Sequence, residues 1–258
     1  MCIRDRVITD HCPGYGSAAR FISQATFGAG RDAESMGVNS PICIIEVMGR
    51  DSGWLAAASS FYKKTNRDAP HFIGIPEVPF SEKDFLISIE TAYRNNGYAV
   101  GVISEKIRSI EGTLSDQQLP ILTDDFGNNY FESPSKYLSQ LVEQQIGVRC
   151  RWEKPGTIQR SLMDSISTTD QKEAYKIGEK AVEISRSDMS EIILTISRSD
   201  KPDYNYSIEY ADLKEVAGKT KYLPEEYRPD KQGNTSDLFK SYLRPLLGNP
   251  MYLSLIHI

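Results

Sequence analysis

The chain has 258 residues, 40% of them hydrophobic and 25% charged, ample for a sizeable core in one large α/β domain or two smaller ones. Its formal net charge of -5, with no lysine or arginine run dominating a segment, gives no electrostatic case for nucleic acid. No apolar stretch approaches the roughly 18 residues of a bilayer-spanning helix, so no membrane segment is expected.

In chain order, Ser17 to Thr26 reads as a short helix that Ser17 starts. Pro41 to Val47 is a strand without polar alternation, hence expected to be covered on both faces. Gly53 to Lys64 reads as helix, and His71 to Ile75 as a strand closed by Pro76. Ser81 caps a helix to Asn96 with Phe85, Ile89 and Ala92 on one face, and Gly97 ends it. Tyr98 to Ile103 is a third strand, which delivers Ser104 and Glu105 to its carboxyl end. Arg108 to Glu132 is polar and irregular, a surface excursion. Pro134 to Ile146 is helix, Val148 to Trp152 strand, and Asp170 to Ser185 a long helix with Ala174, Ile177, Ala181 and Ile184 on one apolar face. Glu191 to Ile196 is strand, Lys201 to Tyr210 loop and edge, and Thr235 to Leu246 an amphipathic helix. Alternating strands and helices imply an α/β fold, with parallel sheets flanked by helices. Composition marks no domain boundary.

Two segments carry chemistry. Ile42 to Leu55 reads as a buried strand that stops at a Gly turn, presents Arg50 and then starts a helix. Ligands of open α/β sheets bind beyond the carboxyl ends of strands, where a guanidinium fork suits a phosphoryl group. On this segment alone, an ordinary strand-helix junction with a solvated arginine fits equally well. The second segment, Arg151 to Arg160, again ends a strand and carries two arginines around the Pro155-Gly156 turn. Cys2, Cys12, Cys43 and Cys150 show neither metal-ligand spacing nor a disulfide framework, which suits a reducing cytoplasm; Cys43 reads as a small buried thiol. His11 and His71 lack a partner pattern and read as structural or surface residues.

Met48-Gly49-Arg50 and Gly156-Thr157-Ile158-Gln159-Arg160 resemble the Met-Gly-Arg and Gly-x-x-Gln-Arg loops of the phosphofructokinases. Thr9 to Ala19 resembles the segment after that family's catalytic Thr-Ile-Asp-Asn-Asp loop. Its Pro-Gly-Tyr-Gly-Ser-Ala-Ala form, with Gly53-Trp54-Leu55, is closer to the pyrophosphate-dependent branch than to the bacterial ATP-dependent one. The resemblance runs in order from about Val7 to about Pro250. It implies a phosphofructokinase-like fold and phosphoryl transfer to the 1-hydroxyl of fructose 6-phosphate, giving fructose 1,6-bisphosphate in glycolysis. Arg50 would stabilise charge on the transferring group, and Met48 and Gly49 would pack against the sugar. Glu105 would accept hydrogen bonds from sugar hydroxyls. Arg160, with Thr157 and Gln159, would grip the 6-phosphate. Arg151 matches a phosphate-binding arginine that the family supplies from a neighbouring subunit, which implies a homo-oligomer; Arg149 could fill that place if the match slips by two residues.

Departures set the limits of the resemblance. Pro41 stands where relatives carry a basic residue that reaches across the subunit interface. Met1 to Arg6 occupies the place of the catalytic aspartate loop without matching it, so Asp5 is not taken as the base. Residues 1–6 and 253–258 resemble translated sequencing-adapter sequence and are expected to be non-native ends. Residues 7–252 are then expected to be the C-terminal, sugar-phosphate-binding part of a phosphofructokinase. The donor loop and most Mg2+ ligands would lie N-terminal to this chain, which is expected to be inactive alone and to hold no metal ligands itself. Two alternatives stay open: ATP as the donor, and a non-catalytic regulatory subunit that binds sugar phosphate.

Overall fold

A computed structural model of the chain describes residues 8–109, 112–113, 122–123, 129–130, 133–199 and 203–249, which fall into two compact units. The two expected non-native ends and much of the expected surface excursion lie outside those residues. Where that excursion is described, it holds two antiparallel ladders of two residues per strand.

Helix α1 runs Tyr15–Met36, well past the expected end at Thr26. Gly28 and Gly30 each cost about 1 kcal/mol of helix propensity against alanine, yet Gly30 permits a close approach. A Cβ there would stand 2.7 Å from Ala69 Cβ. Packing overrides propensity here.

The larger unit, Phe21–Ser161 with Tyr222–Lys240, is built on strands β1 (Ile42–Val47), β2 (Phe72–Gly74), β3 (Ala99–Ser104) and β4 (Cys150–Glu153). All pair in parallel in the order β2-β3-β1-β4, with Val47 opposite Ser104 and Ile42 opposite Cys150. Every residue of β1 and β3 is buried, as runs without polar alternation require. Helices α3 (Glu82–Asn96) and α4 (Pro134–Ile146) lay Phe85, Ile89, Leu138 and Val142 on Ile42, Ile44 and Ile103. Each such side chain contributes about 1.5–3 kcal/mol. Ser81 caps α3 by accepting from the Asp84 N–H, and Gly97 ends it at φ +81°. Gly147 ends α4 at φ +77°.

Helix α2 covers only Trp54–Ala58, shorter than the expected span to Lys64. The Ser59 and Ser60 hydroxyls donate back to the Ala56 and Ala57 carbonyls, a local competition that unwinds helices. Buried Lys63 instead donates to the carbonyls of Asp68, Pro70 and Gln232. Burial lowers its pKa to about 8.

The smaller unit holds helix α5 (Thr168–Ile184), an antiparallel hairpin of β5 (Ile192–Arg198) and β6 (Tyr206–Asp212), and the short helix α6 (Leu213–Val216). The β6 strand corrects the expectation of loop and edge. Tyr206, Ile208 and Tyr210 alternate with polar residues, and full pairing to β5 holds them extended. The expected apolar face of α5 is corrected too: Ala174 and Ala181 are exposed, Ile177 and Ile184 half-buried, and the buried residues are Asp170 and Glu173. Both are engaged by polar partners. Asp170 accepts from the Ser17 N–H and hydroxyl, each at 2.6 Å.

Glu173 lies 2.8 Å from His11 Nε2, and Asp10 lies 2.8 Å from His11 Nδ1. His11 is 1% exposed and Glu173 0%, and the Tyr204 hydroxyl also donates to Glu173. His11 is therefore structural, as expected, but it has the partners the sequence did not show. His71 is buried, and its Nδ1 accepts from the Val100 N–H at 3.0 Å; burial holds its pKa near 4. The last helix, α7 (Asp237–Leu243), is shorter than the expected 235–246. In the larger unit, Phe239 packs against Trp54 and Tyr227.

Candidate functional site

The carboxyl end of β1 forms the first corner of the site. After Val47 the chain turns sharply through Gly49 at φ +146°, a conformation that side chains rarely adopt. A Cβ at Gly49 would also stand 2.6 Å from the Ser52 carbonyl oxygen, so the turn needs glycine twice over. Glu105 follows β3 directly and donates its N–H to the Val47 carbonyl at 3.0 Å. Its Oε1 accepts from the Gly49 N–H at 3.4 Å and lies 3.8 Å from Arg50 Nε. The Arg50 side chain is 58% exposed and that of Glu105 30%. Their attraction is thus screened, and each group remains accessible to a ligand.

The second corner follows β4. Pro155 and Gly156, the latter at φ +57°, turn the chain into a single 3-10 turn, Gly156–Arg160. Gln159 is 2% exposed. Its Oε1 accepts from the Met48 N–H and its Nε2 donates to the Gly156 carbonyl, both at 3.1 Å. One amide thus ties the two corners together and braces its own loop. Thr157 and Arg160 stay exposed on that loop.

Met48, Gly49, Arg50, Glu105, Gln159 and the loop bearing Thr157 and Arg160 are therefore brought together. Arg151 is not. It pairs in register with Cys43, four residues before Val47, or about 13 Å along the strand. Its guanidinium is engaged by Asp32 of α1. Burial opposes the charge of Arg151, yet the Asp32 hydrogen bond and charge outweigh it and raise the pKa. Arg149 is exposed nearby.

Two charged residues beside the corners escaped the sequence reading. Arg108 meets Asp51 at 3.2 Å. Glu46, wholly buried in β1, meets Lys154 at 2.8 Å. A carboxylate inside an otherwise apolar strand was the available signal, since a buried charge needs a partner.

Chemically, an accessible carboxylate beside a tight backbone turn suits a polyhydroxylated ligand, and exposed guanidinium groups suit an anion such as phosphate. Among the described residues, no group of three or more His, Cys, Asp or Glu is placed to hold a metal ion.

Residues 4–185 match the family model described as Phosphofructokinase. The chain is 32% identical over 245 residues to the pyrophosphate--fructose 6-phosphate 1-phosphotransferase of Halomonas elongata, covering 94% of this chain and 58% of the relative. It is 34% identical over 261 residues to the protein of the same name from Rhodospirillum rubrum, covering 96% and 61%. The crystal structure of the pyrophosphate-dependent phosphofructokinase from Marinobacter aquaeolei superimposes with a TM-score of 0.77 at 32% identity, covering 95% of this chain and 58% of that one. The chain thus spans about three-fifths of the length of these relatives.

Proposed function

The chain belongs to the phosphofructokinase family, and from that premise we propose that the protein transfers a phosphoryl group from pyrophosphate to the 1-hydroxyl of fructose 6-phosphate. The observation that carries this reading is the Gln159 bridge. It binds the loop of Arg160 to the turn of Arg50, so that two family motifs 111 positions apart in sequence meet at one site. Names of relatives that use pyrophosphate support the choice of donor.

Phosphoryl transfer depends on placement and charge stabilisation more than on covalent chemistry from the protein. In this reading Arg50 neutralises charge on the transferring group. Glu105, fixed by Gly49 and Arg50, accepts hydrogen bonds from sugar hydroxyls. The missing Cβ of Gly49 and the backbone at Met48 allow the sugar to approach. Arg160 and Thr157 hold the 6-phosphate, while Gln159, buried and bonded on both sides, keeps their loop in place. Arg151 would serve a neighbouring subunit's phosphate only by releasing Asp32. A homo-oligomer, magnesium chemistry and a cytoplasmic setting belong to the same reading. Among the described residues no group of three or more His, Cys, Asp or Glu is placed to hold a metal ion, and no step is assigned to magnesium.

The test is an assay of the complete gene product with fructose 6-phosphate and either pyrophosphate or ATP. Formation of fructose 1,6-bisphosphate with pyrophosphate is expected. Turnover with ATP alone would overturn the donor, and none with either would overturn the activity.

A further inference from the structure

The loop that carries Arg160 is fastened at two points to the segment formed by β1 and the turn after it, and Gln159 is one of them. The other is Glu46. Its side chain is 0% exposed, and Oε1 lies 2.8 Å from Lys154 Nζ. Its Oε2 accepts from the Ser135 N–H at 3.2 Å and the Ser135 hydroxyl at 3.1 Å, and also from the Ser133 hydroxyl. Strand alternation explains the aim: Glu46 shares a face with Ile42 and Ile44, the face that α4 covers. The carboxylate therefore meets the first turn of α4, where the positive helix end favours it. Ser133 precedes that helix without a side-chain capping bond of its own.

Lys154 is the residue between the end of β4 and the Pro155-Gly156 turn. It is 46% exposed, so its aliphatic stem bridges from surface to buried carboxylate. Glu46, in β1, and Met48, just past its carboxyl end, are two positions apart in the chain. They grip Lys154 and Gln159, the two ends of the loop. A loop pinned at one end could pivot; pinned at both, it presents Arg160 in one place.

We propose that Glu46 is a positioning residue for this site. Through Lys154 it sets where the Gly156–Arg160 turn stands relative to Met48–Arg50. The proposal rests on the reading that these corners share one sugar phosphate.

The experiment compares wild type, Glu46→Gln, Lys154→Met, Lys154→Arg and the Glu46→Gln/Lys154→Met double variant of this chain. Amide hydrogen exchange and calorimetric titration with fructose 6-phosphate are the two readouts. Glu46→Gln is expected to speed exchange in 155–161 and at Met48 more than in 134–146, and to weaken binding roughly tenfold. Lys154→Met should do the same, Lys154→Arg should stay within about twofold of wild type, and the double variant should be no worse than either single change. Faster exchange confined to 134–146 would overturn the proposal, because Glu46 would then only cap α4. So would additive effects of the two single changes. If wild type binds no fructose 6-phosphate, the sugar-phosphate reading falls, while the exchange pattern still decides the role of Glu46.

Discussion

Replacing Gln159 with methionine keeps the side-chain volume and deletes both of its hydrogen bonds, to the Met48 N–H and the Gly156 carbonyl, each 3.1 Å long. Each lost bond costs about 0.5–1.5 kcal/mol, and an orphaned donor costs more where water cannot reach it. Met48 is half-buried, so part of that penalty is relieved by solvent. The expected loss is about 2–3 kcal/mol. With a urea m-value of about 2 kcal/mol/M, the midpoint falls by about 1 M. Urea unfolding followed by Trp54, which is buried in the larger unit, measures this. Fructose 6-phosphate affinity should fall in parallel, because the loop of Arg160 loses a tether. A midpoint shift below about 0.2 M would refute the argument that one buried amide joins the corners.

Two further outcomes are expected. Burial pushes the His11 imidazole down, but hydrogen bonds and charge from Asp10 and Glu173 outweigh it and raise its pKa above 6.5. That stabilisation is complete below the unfolded value of 6.5 and is lost as pH rises through the higher folded value. Thermal midpoints of wild type should therefore fall as pH rises above about 6.5 while those of His11→Gln fall less; parallel curves would contradict this. Burial, reinforced by the charge of Glu153, pushes the Cys43 thiol up to about 12, and burial raises Cys150 as well. Iodoacetamide on the native chain at neutral pH should label Cys12 and spare Cys43 and Cys150. Mass spectrometry reads the sites, and labelling of Cys43 as fast as Cys12 would contradict the burial.

Much of the sheet was legible because its central strands announce themselves. Ile42 to Val47 and Ala99 to Ser104 run without polar alternation, apolar but for Glu46 and the closing Ser104, which is what full burial of a parallel strand demands. Glu105 and Arg50 could be placed by position alone, as the first polar residues beyond those ends. What sequence could not supply was every contact made at long range. Nothing near Arg151 in the chain announces Asp32, so its pairing along the strand was invisible. Gln159 looked like a ligand residue, yet it faces inward, because a 3-10 turn rather than an open loop carries it. Helix α5 shows an apolar stripe that proves half-exposed, since buried Asp170 and Glu173 draw the other side inward to Ser17 and His11. The extent of α1 was lost at Gly28 and Gly30; at Gly30 a packing need resembles a helix stop.

A 15N NMR titration of the chain with fructose 6-phosphate, and with fructose as the uncharged control, bears most directly on whether the two corners act as one. The account predicts that amides of Met48, Gly49, Arg50 and Glu105 shift together with those of Thr157, Gln159 and Arg160 along a single saturation curve, with fructose moving them far less. Shifts limited to one corner, two separate saturation curves, or equal responses to both sugars would contradict it.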